Sequence, residues 1–410
     1  MRKFPLALRL VLLAALALRL GWAMSRPADE ATIDQLPDQR EYLDVAHSLL
    51  SGEGFSFVDR RFDQRVYAHR TPGYPLLLAA AGANVQAARI LQACIDTSTV
   101  LAVFLLARRW LSYNASVIAA ALVAFNPFLV YFSSLVLTET LFTAMLAWGM
   151  FFITSQGTFP WLAGGIILAA STLVRPGALP LPVILAVLGA LATRTARPAN
   201  RGGDPAYHRW WSLPVGTSML LLTILILLPW AMRNHRVLGQ WVWTSTNAGI
   251  TRYDGFNPDA TGASDQSFVE AMPHLRSMGE IERNDYFARE ANHFMRERPL
   301  DSIKLAWTKV LRTWSPRPLS SEFSRTLYVA VALAYSVPFF ALFVVSWVTS
   351  PMPATAKLFL AAPAVYLTLA AVLSVGSLRY RIPAEVPMAV VAAAVFSRPK
   401  ATPDNPDQAV

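Results

Sequence analysis

A chain of 410 residues ordinarily makes roughly two or three soluble domains, yet 54% of these residues are hydrophobic, only 15% are charged, and the mean hydropathy is +0.38. The apolar residues fall in long blocks, many close to the ~20 that a helix needs to cross a bilayer, which excludes a soluble enzyme, a disulfide-framed secreted domain and a disordered chain. The net charge of +10 has its simplest source in basic loops that orient membrane helices rather than in nucleic-acid binding, and the single cysteine, Cys94, makes neither an internal disulfide nor a thiolate metal site.

Residues 1–24 open with Arg2 and Lys3 and continue apolar. With further spans behind them they read as a first membrane helix rather than a signal peptide, Arg9 and Arg19 snorkelling toward opposite faces. A polar stretch over 25–75 follows. Inside it, DQREYLDVAHSLL sets Tyr42, Val45, Ala46 and Leu49 at helical spacing, the pattern of an amphipathic helix at the membrane interface. Asp38 ahead of that run, with Glu41 three residues later, has the spacing of a capping box.

Further spans fall near 86–107, 113–131, 137–155, 160–175, 177–192 and 212–232. A long polar segment occupies 233–325, with an amphipathic helical stretch at 267–297, and the last spans lie near 326–348, 356–375 and 382–397. The expectation is an all-α polytopic membrane protein, a single membrane-embedded domain of about ten transmembrane helices. Residues 193–211 read as a cytoplasmic linker and 399–410 as a disordered tail.

Short loops set the orientation. Arg2, Lys3, Arg108, Arg109, Arg194, Arg197, Arg201, Arg209, Lys357, Arg398 and Lys400 collect on one side, while the loop near 131–136 carries no base. The positive-inside rule then puts both termini in the cytoplasm, and the two long polar loops outside the inner (cell) membrane. No internal repeat and no matched pair of broken helices is visible, which disfavours a secondary transporter.

Charged residues at outer helix ends are the candidates for chemistry. Glu139, in SSLVLTETLF, is a carboxylate at the entrance of an apolar helix, where it is either functional or a dipole-favoured first-turn residue. Arg70 precedes the Pro-Gly-Tyr-Pro turn, Arg175 stands in STLVRPG, and Arg379 and Arg381 bracket Tyr380 in SLRYRIPAEVP. Guanidinia so placed suit a lipid phosphate. The histidines His47, His69, His208, His235, His274 and His293 show no HxxxH or HExxH spacing, so no metal ligands are assigned. Walker and GxSxG elements are absent as well.

Taken in order, DQREYLDVAHSLLSGEGF, RTPGYPLLLA, LTETLF, LVRP, LPWAMRNHRVLGQWVWTSTNAGITRYDGFNPDATG and SLRYRIPAEVP resemble the integral-membrane glycosyltransferases that use polyprenyl-phosphate sugars. That group takes in protein O-mannosyltransferases and the aminoarabinose transferase of lipid A. The resemblance implies a transferase that passes a sugar from a lipid-phosphate donor to an envelope acceptor, with the bilayer and the donor lipid as partners and no obligatory cofactor. It implies Asp38 as the catalytic carboxylate, paired in the motif with Tyr42, and Glu139 as a second catalytic acid. Arg70, with Arg175, Arg379 and Arg381, would hold the donor phosphate. Sugar or acceptor contacts are expected from Tyr42, Tyr74, Tyr380, Asn247 and Tyr253, the last two beside Trp241, Trp243 and Asn257. The sequence has fewer spans than the larger members and no sizeable C-terminal outer domain, the parts where acceptor selection is expected to reside. A transporter or flippase of lipid-linked sugars is the competing reading. Its discriminator is whether Asp38 and Glu139 share one cavity or a polar path runs along the bilayer midplane.

Overall fold

The computed structural model describes residues 6–195, 214–319 and 325–397. The linker expected over 193–211 lies outside the described residues beyond Thr195, as do the 399–410 tail and Arg2, Lys3, Arg398 and Lys400. Among the described residues, six stretches are helical, long and apolar enough to cross a membrane: α1 (Leu6–Ser25), α5 (Val85–Ala107), Pro176–Thr193, α11 (Val215–Leu238), α15 (Thr326–Thr349) and α16 (Ala354–Val372). The third of these contains α10 (Leu181–Thr195).

The other four expected spans are shorter helices of 12 to 15 residues: α6 (Tyr113–Ala124), α8 (Glu139–Ile153), α9 (Thr158–Ser171) and α17 (Leu378–Ala392). At 1.5 Å per residue, 15 residues reach about 22 Å, less than the ~30 Å hydrocarbon core. Sequence chemistry explains the shortening. Asn126 accepts the amides of Phe128 and Leu129 and Pro127 sits at the first helical position, so the 113–131 block breaks into α6 and α7 (Pro127–Phe132).

The helices pack around α17, whose residues 381–392 are buried throughout. It lies against α6, α8, α15 and α16, while α5 packs on α1, α6 and α8. Close approach of α8 and α9 depends on small residues. A Cβ on Gly164 would lie 2.7 Å from the Ile153 amide nitrogen, and one on Gly149 would strike Leu168.

Arg19 does not snorkel. It is fully buried, pairs with Asp96 of α5 at 2.6 Å, and donates to the Val123 and Ala124 carbonyls at 3.2 and 2.9 Å. Those carbonyls lie at the end of α6, where helix acceptors outnumber backbone donors, so the guanidinium serves both a buried acid and a helix terminus. Lys357 likewise turns inward, its Nζ donating to Trp347 and Ser350 carbonyls at the end of α15.

The two polar segments join into one cap. The first holds the short helices α2 (Glu30–Asp34) and α4 (Gly73–Ala80) around α3 (Pro37–Leu50), and an antiparallel hairpin of β1 (Phe57–Asp59) and β2 (Gln64–Val66) that departs from the all-helical expectation. From the second segment come α12 (Ala248–Gly255), α13 (Glu280–Glu297) and α14 (Pro299–Thr313). The stretch expected to be helical over 267–297 is two 3-10 turns followed by α13. Glu280 holds the segments together. Its carboxylate accepts the Tyr67 and Ala68 amides at 2.7 and 2.9 Å, and Arg233 donates to the Phe55 and Tyr67 carbonyls at 2.6 Å each. The carboxylate hydrogen bonds are charge-assisted, which gives the cap a fixed seat over the helix ends.

Candidate active site

Asp38 does not cap its helix. The N-cap of α3 is Leu36 without a side-chain bond, and Pro37 takes the first helical position. That leaves Asp38 in the first turn and Glu41 one turn further on, both free to point at arginines. Arg70 Nη2 donates to Asp38 Oδ1, and Arg379 Nη1 donates to Asp38 Oδ2 at 2.8 Å. Behind them, Arg70 Nε donates to Glu41 Oε2 at 2.7 Å and Arg379 Nε to Glu139 Oε1 at 2.6 Å. Arg175 Nη1 lies 3.9 Å from Glu139 Oε1 and has no hydrogen-bond partner. Its guanidinium stacks 5.0 Å over Tyr380 and 5.8 Å over Phe142.

At the other end of this chain of charges, Arg61 Nη2 lies 3.4 Å from Glu41 and donates to Asp59 at 2.8 Å. His69 Nε2 is 3.1 Å from the same Arg61 nitrogen. Four acids and four arginines therefore alternate from Asp59 to Arg175.

The local fields follow from this order. Burial alone would raise the Asp38 carboxyl, but the charges and hydrogen bonds of Arg70 and Arg379 outweigh it and hold the group well below the usual carboxylate range. For Glu41 burial wins over Arg70 and Arg61, and the carboxyl lies above its ordinary value. His69 is pushed well below its ordinary value by burial and by the charges of Arg61 and Arg70, so its imidazole is neutral at pH 7.

These groups edge a cavity of about 1760 Å³. One wall is apolar, with Leu18, Trp22, Phe125, Phe128, Leu327 and Val331 from α1, α15 and the α6–α7 region. The cap contributes polar lining, with Asn247, Thr251, Arg252, Gln266 and Ser267. Asp38, Glu41, Tyr42, Arg61, Arg70, Arg175, Arg379 and Tyr380 line the same cavity.

Several expected site residues stand elsewhere. Glu139 is 1% exposed and meets the cavity only through Arg379 and Arg175. Arg381 is buried behind the cavity, paired with Glu385 at 2.6 Å and lying over Phe128 and Phe340. Tyr74 is fully buried and donates its hydroxyl to Gln92. Tyr253 packs against Phe268 and Phe287 in the core of the cap, and Asn257 binds the Tyr253 carbonyl. Trp241 stacks on His235, and Trp243 stacks on Trp241, both tryptophans being exposed. In the other direction, the capping-box reading of Glu41 hid its position beside Asp38 on the same helix face. Asp59, Arg61 and His69 carried no spacing signal. Among the described residues, no group of three or more His, Cys, Asp or Glu side chains is arranged to hold a metal ion.

No protein-family model matches the sequence, and no curated protein matches it. The fold is shared with solved membrane proteins, among them an archaeal oligosaccharyltransferase and ArnT. Among solved structures, the chain is similar to the oligosaccharyltransferase AglB of Archaeoglobus fulgidus in complex with an inhibitory peptide and a dolichol-phosphate (TM-score 0.53, 14% identity, 95% of this chain and 50% of that one). It is also similar to ArnT of Cupriavidus metallidurans bound to undecaprenyl phosphate (TM-score 0.51, 14% identity, 94% and 59%). An Archaeoglobus fulgidus oligosaccharyltransferase in the apo form gives a TM-score of 0.54 at 13% identity, over 94% and 49%. The chain thus spans about half the length of these proteins, and the likeness is one of fold.

Proposed function

We propose that the chain is a glycosyltransferase that moves a sugar from a polyprenyl-phosphate donor to an envelope acceptor at the outer face of the cytoplasmic membrane, both termini lying in the cytoplasm. The observation that supports this reading is that Arg70, Arg175 and Arg379 line one cavity together with apolar side chains of the helices and polar side chains of the cap. A polyprenyl-phosphate sugar carries the three matching kinds of group: hydrocarbon, phosphate and polyol. Its tail fits against Leu18, Trp22 and Val331, its phosphate against the guanidinia, and its sugar against Asn247 and Thr251.

The reaction follows from the charges. The acceptor's oxygen or nitrogen forms a bond to the anomeric carbon, and the bond from that carbon to the phosphate oxygen breaks with its electron pair leaving on oxygen. A single displacement of this kind inverts the anomeric centre. Polyprenyl phosphate is a good leaving group, so the site needs no general acid for it. The phosphate passes from one negative charge to two, and guanidinia already fixed around it stabilise the second. Asp38 takes the acceptor's proton.

The buried pairs Arg19–Asp96 and Arg381–Glu385 are enclosed among helices and do not line the cavity, which gives the flippase reading no polar route. Vesicles containing the chain, with radiolabelled undecaprenyl-phosphate hexose on one side and an envelope extract on the other, separate the two. Label moving into the extract with release of undecaprenyl phosphate supports transfer. Label that changes side while still attached to lipid refutes it.

A further inference from the structure

Both phosphate arginines are held in the same way, and the arrangement suggests what precedes the chemistry. Each guanidinium is fixed by its Nε to a glutamate, Arg70 to Glu41 and Arg379 to Glu139. Each then directs an Nη at Asp38, one to each carboxylate oxygen. Glu139 is 1% exposed, whereas Asp38 is 30% exposed and lines the cavity. Glu41 also lines the cavity but is only 12% exposed, so both anchors are less accessible than Asp38, the exchangeable partner that faces the space where a ligand enters. Arg175, with its Nη1 uncommitted, stands beside them as a first contact for an arriving anion.

A carboxylate held by two guanidinia is a weak proton acceptor, because protonating it forfeits both charge-assisted bonds. With its arginines in place, Asp38 is poorly suited to act as a base.

Resting on the transferase reading, we propose that Asp38 is a resident anion displaced by the donor's phosphate: the phosphate takes the Nη groups of Arg70 and Arg379, Glu41 and Glu139 keep their Nε bonds, and the freed Asp38 becomes the base. Acceptor deprotonation then waits on donor binding, and the site does not activate an acceptor or water while it is empty. The step balances. The acceptor's proton passes to Asp38, the glycosidic electron pair passes to the phosphate oxygen, and Asp38 returns its proton to water in the cavity as polyprenyl phosphate leaves and the arginines close again. Glu41 and Glu139 are positioning residues in this scheme, since they act through the arginines.

The test needs neither the sugar nor the acceptor, because undecaprenyl phosphate alone is the probe. Its affinity for the full chain in lipid nanodiscs is measured for wild type, Asp38→Asn, Glu41→Ala and Glu41→Gln. If Asp38 competes with phosphate, Asp38→Asn binds undecaprenyl phosphate more tightly, by about fivefold or more, the lower range of coupling between linked sites. Sugar transfer by the same variant falls. A residue that serves only to hold the fold does not move binding and turnover in opposite directions. Glu41→Ala releases the Arg70 anchor and weakens binding, whereas Glu41→Gln retains an oxygen to accept Nε and restores it. Unchanged or weaker binding by Asp38→Asn overturns the proposal, and so does a Glu41→Ala variant that binds like wild type. Wild type that does not bind undecaprenyl phosphate at all overturns the transferase reading itself.

Discussion

Replacing Arg379 with alanine removes the side chain that touches both Asp38, at 2.8 Å, and Glu139, at 2.6 Å. Asp38 keeps Arg70 and remains partly accessible. Glu139 does not fare so well: it is 1% exposed, its Oε2 already lacks a hydrogen-bond partner, and only Arg175 at 3.9 Å would remain. Taking one partner from a buried pair costs about 3–5 kcal/mol, because the surviving charge stays desolvated. Arg379 itself is 32% exposed to the cavity, so the lower end, about 3 kcal/mol, is the expected loss. For a chain of this size that is a fall in Tm of about 3–4 °C. The cause can be isolated with a double-mutant cycle. Glu139→Gln in the Arg379→Ala background neutralises the stranded carboxylate, so most of the stability returns, with a coupling of about 2 kcal/mol. Undecaprenyl phosphate binding does not return, because the guanidinium is still missing. The assay is thermal unfolding in detergent followed by tryptophan fluorescence, alongside phosphate-lipid binding. If the two substitutions add independently, the account of Glu139 as a buried partner of Arg379 is refuted.

Arg175→Ala is expected to weaken undecaprenyl phosphate binding with little loss of Tm, since its Nη1 makes no hydrogen bond in the folded chain; a large loss of Tm with unchanged binding counts against it as a phosphate contact. Arg381→Ala should do the reverse, destabilising the chain by about 3 kcal/mol or more because Glu385 is left buried without its partner, while the folded fraction binds undecaprenyl phosphate normally in the same nanodisc assay. Lys309 of α14 is buried, donates to the Val372 carbonyl at 3.2 Å, and is pushed down to about 7 by burial. Between that value and the ordinary lysine range the unfolded chain binds the extra proton, so stability rises with pH through this window and the penalty is complete below it. Lys309→Met removes this contribution, and its gain in Tm over wild type should be larger at pH 6 than at pH 10; an equal gain at both refutes the assignment.

Much of this architecture could be read from local pattern. Blocks of apolar residues near span length, interrupted by 25–75 and 233–325, gave the helices and the two polar segments that form the cap. Asn126-Pro127 was a readable break, a side-chain cap followed by a residue that suits a helix start, and it divides one expected span. What could not be read were partnerships between distant residues. Arg19 passed for a snorkelling side chain because no acid lies near it in sequence, whereas Asp96, 77 positions away, pairs with it. Arg379 and Arg381 are equivalent by spacing, yet two residues on a helix point to different sides. One meets Asp38 at the cavity, and the other meets Glu385 in the interior. Glu41 was assigned to a capping box that Pro37 displaced by taking the first helical position. Tyr253 has the chemistry of a sugar contact, but the cap needed an aromatic core around Phe268 and Phe287 and used it there.

The measurement that bears most directly on the central claim is phosphorus NMR of undecaprenyl-phosphate sugars incubated with vesicles that carry the chain, in the presence of envelope acceptor. A panel of hexose and pentose donors covers the sugar. Transfer converts the phosphodiester of the donor into the phosphomonoester of free undecaprenyl phosphate, a change visible without knowing where the sugar goes. The account predicts that the monoester grows in with wild type for at least one donor, and that its growth falls sharply with Arg70→Ala and with Asp38→Asn. A donor signal that stays wholly phosphodiester across the panel, or conversion at the wild-type rate in both variants, contradicts it.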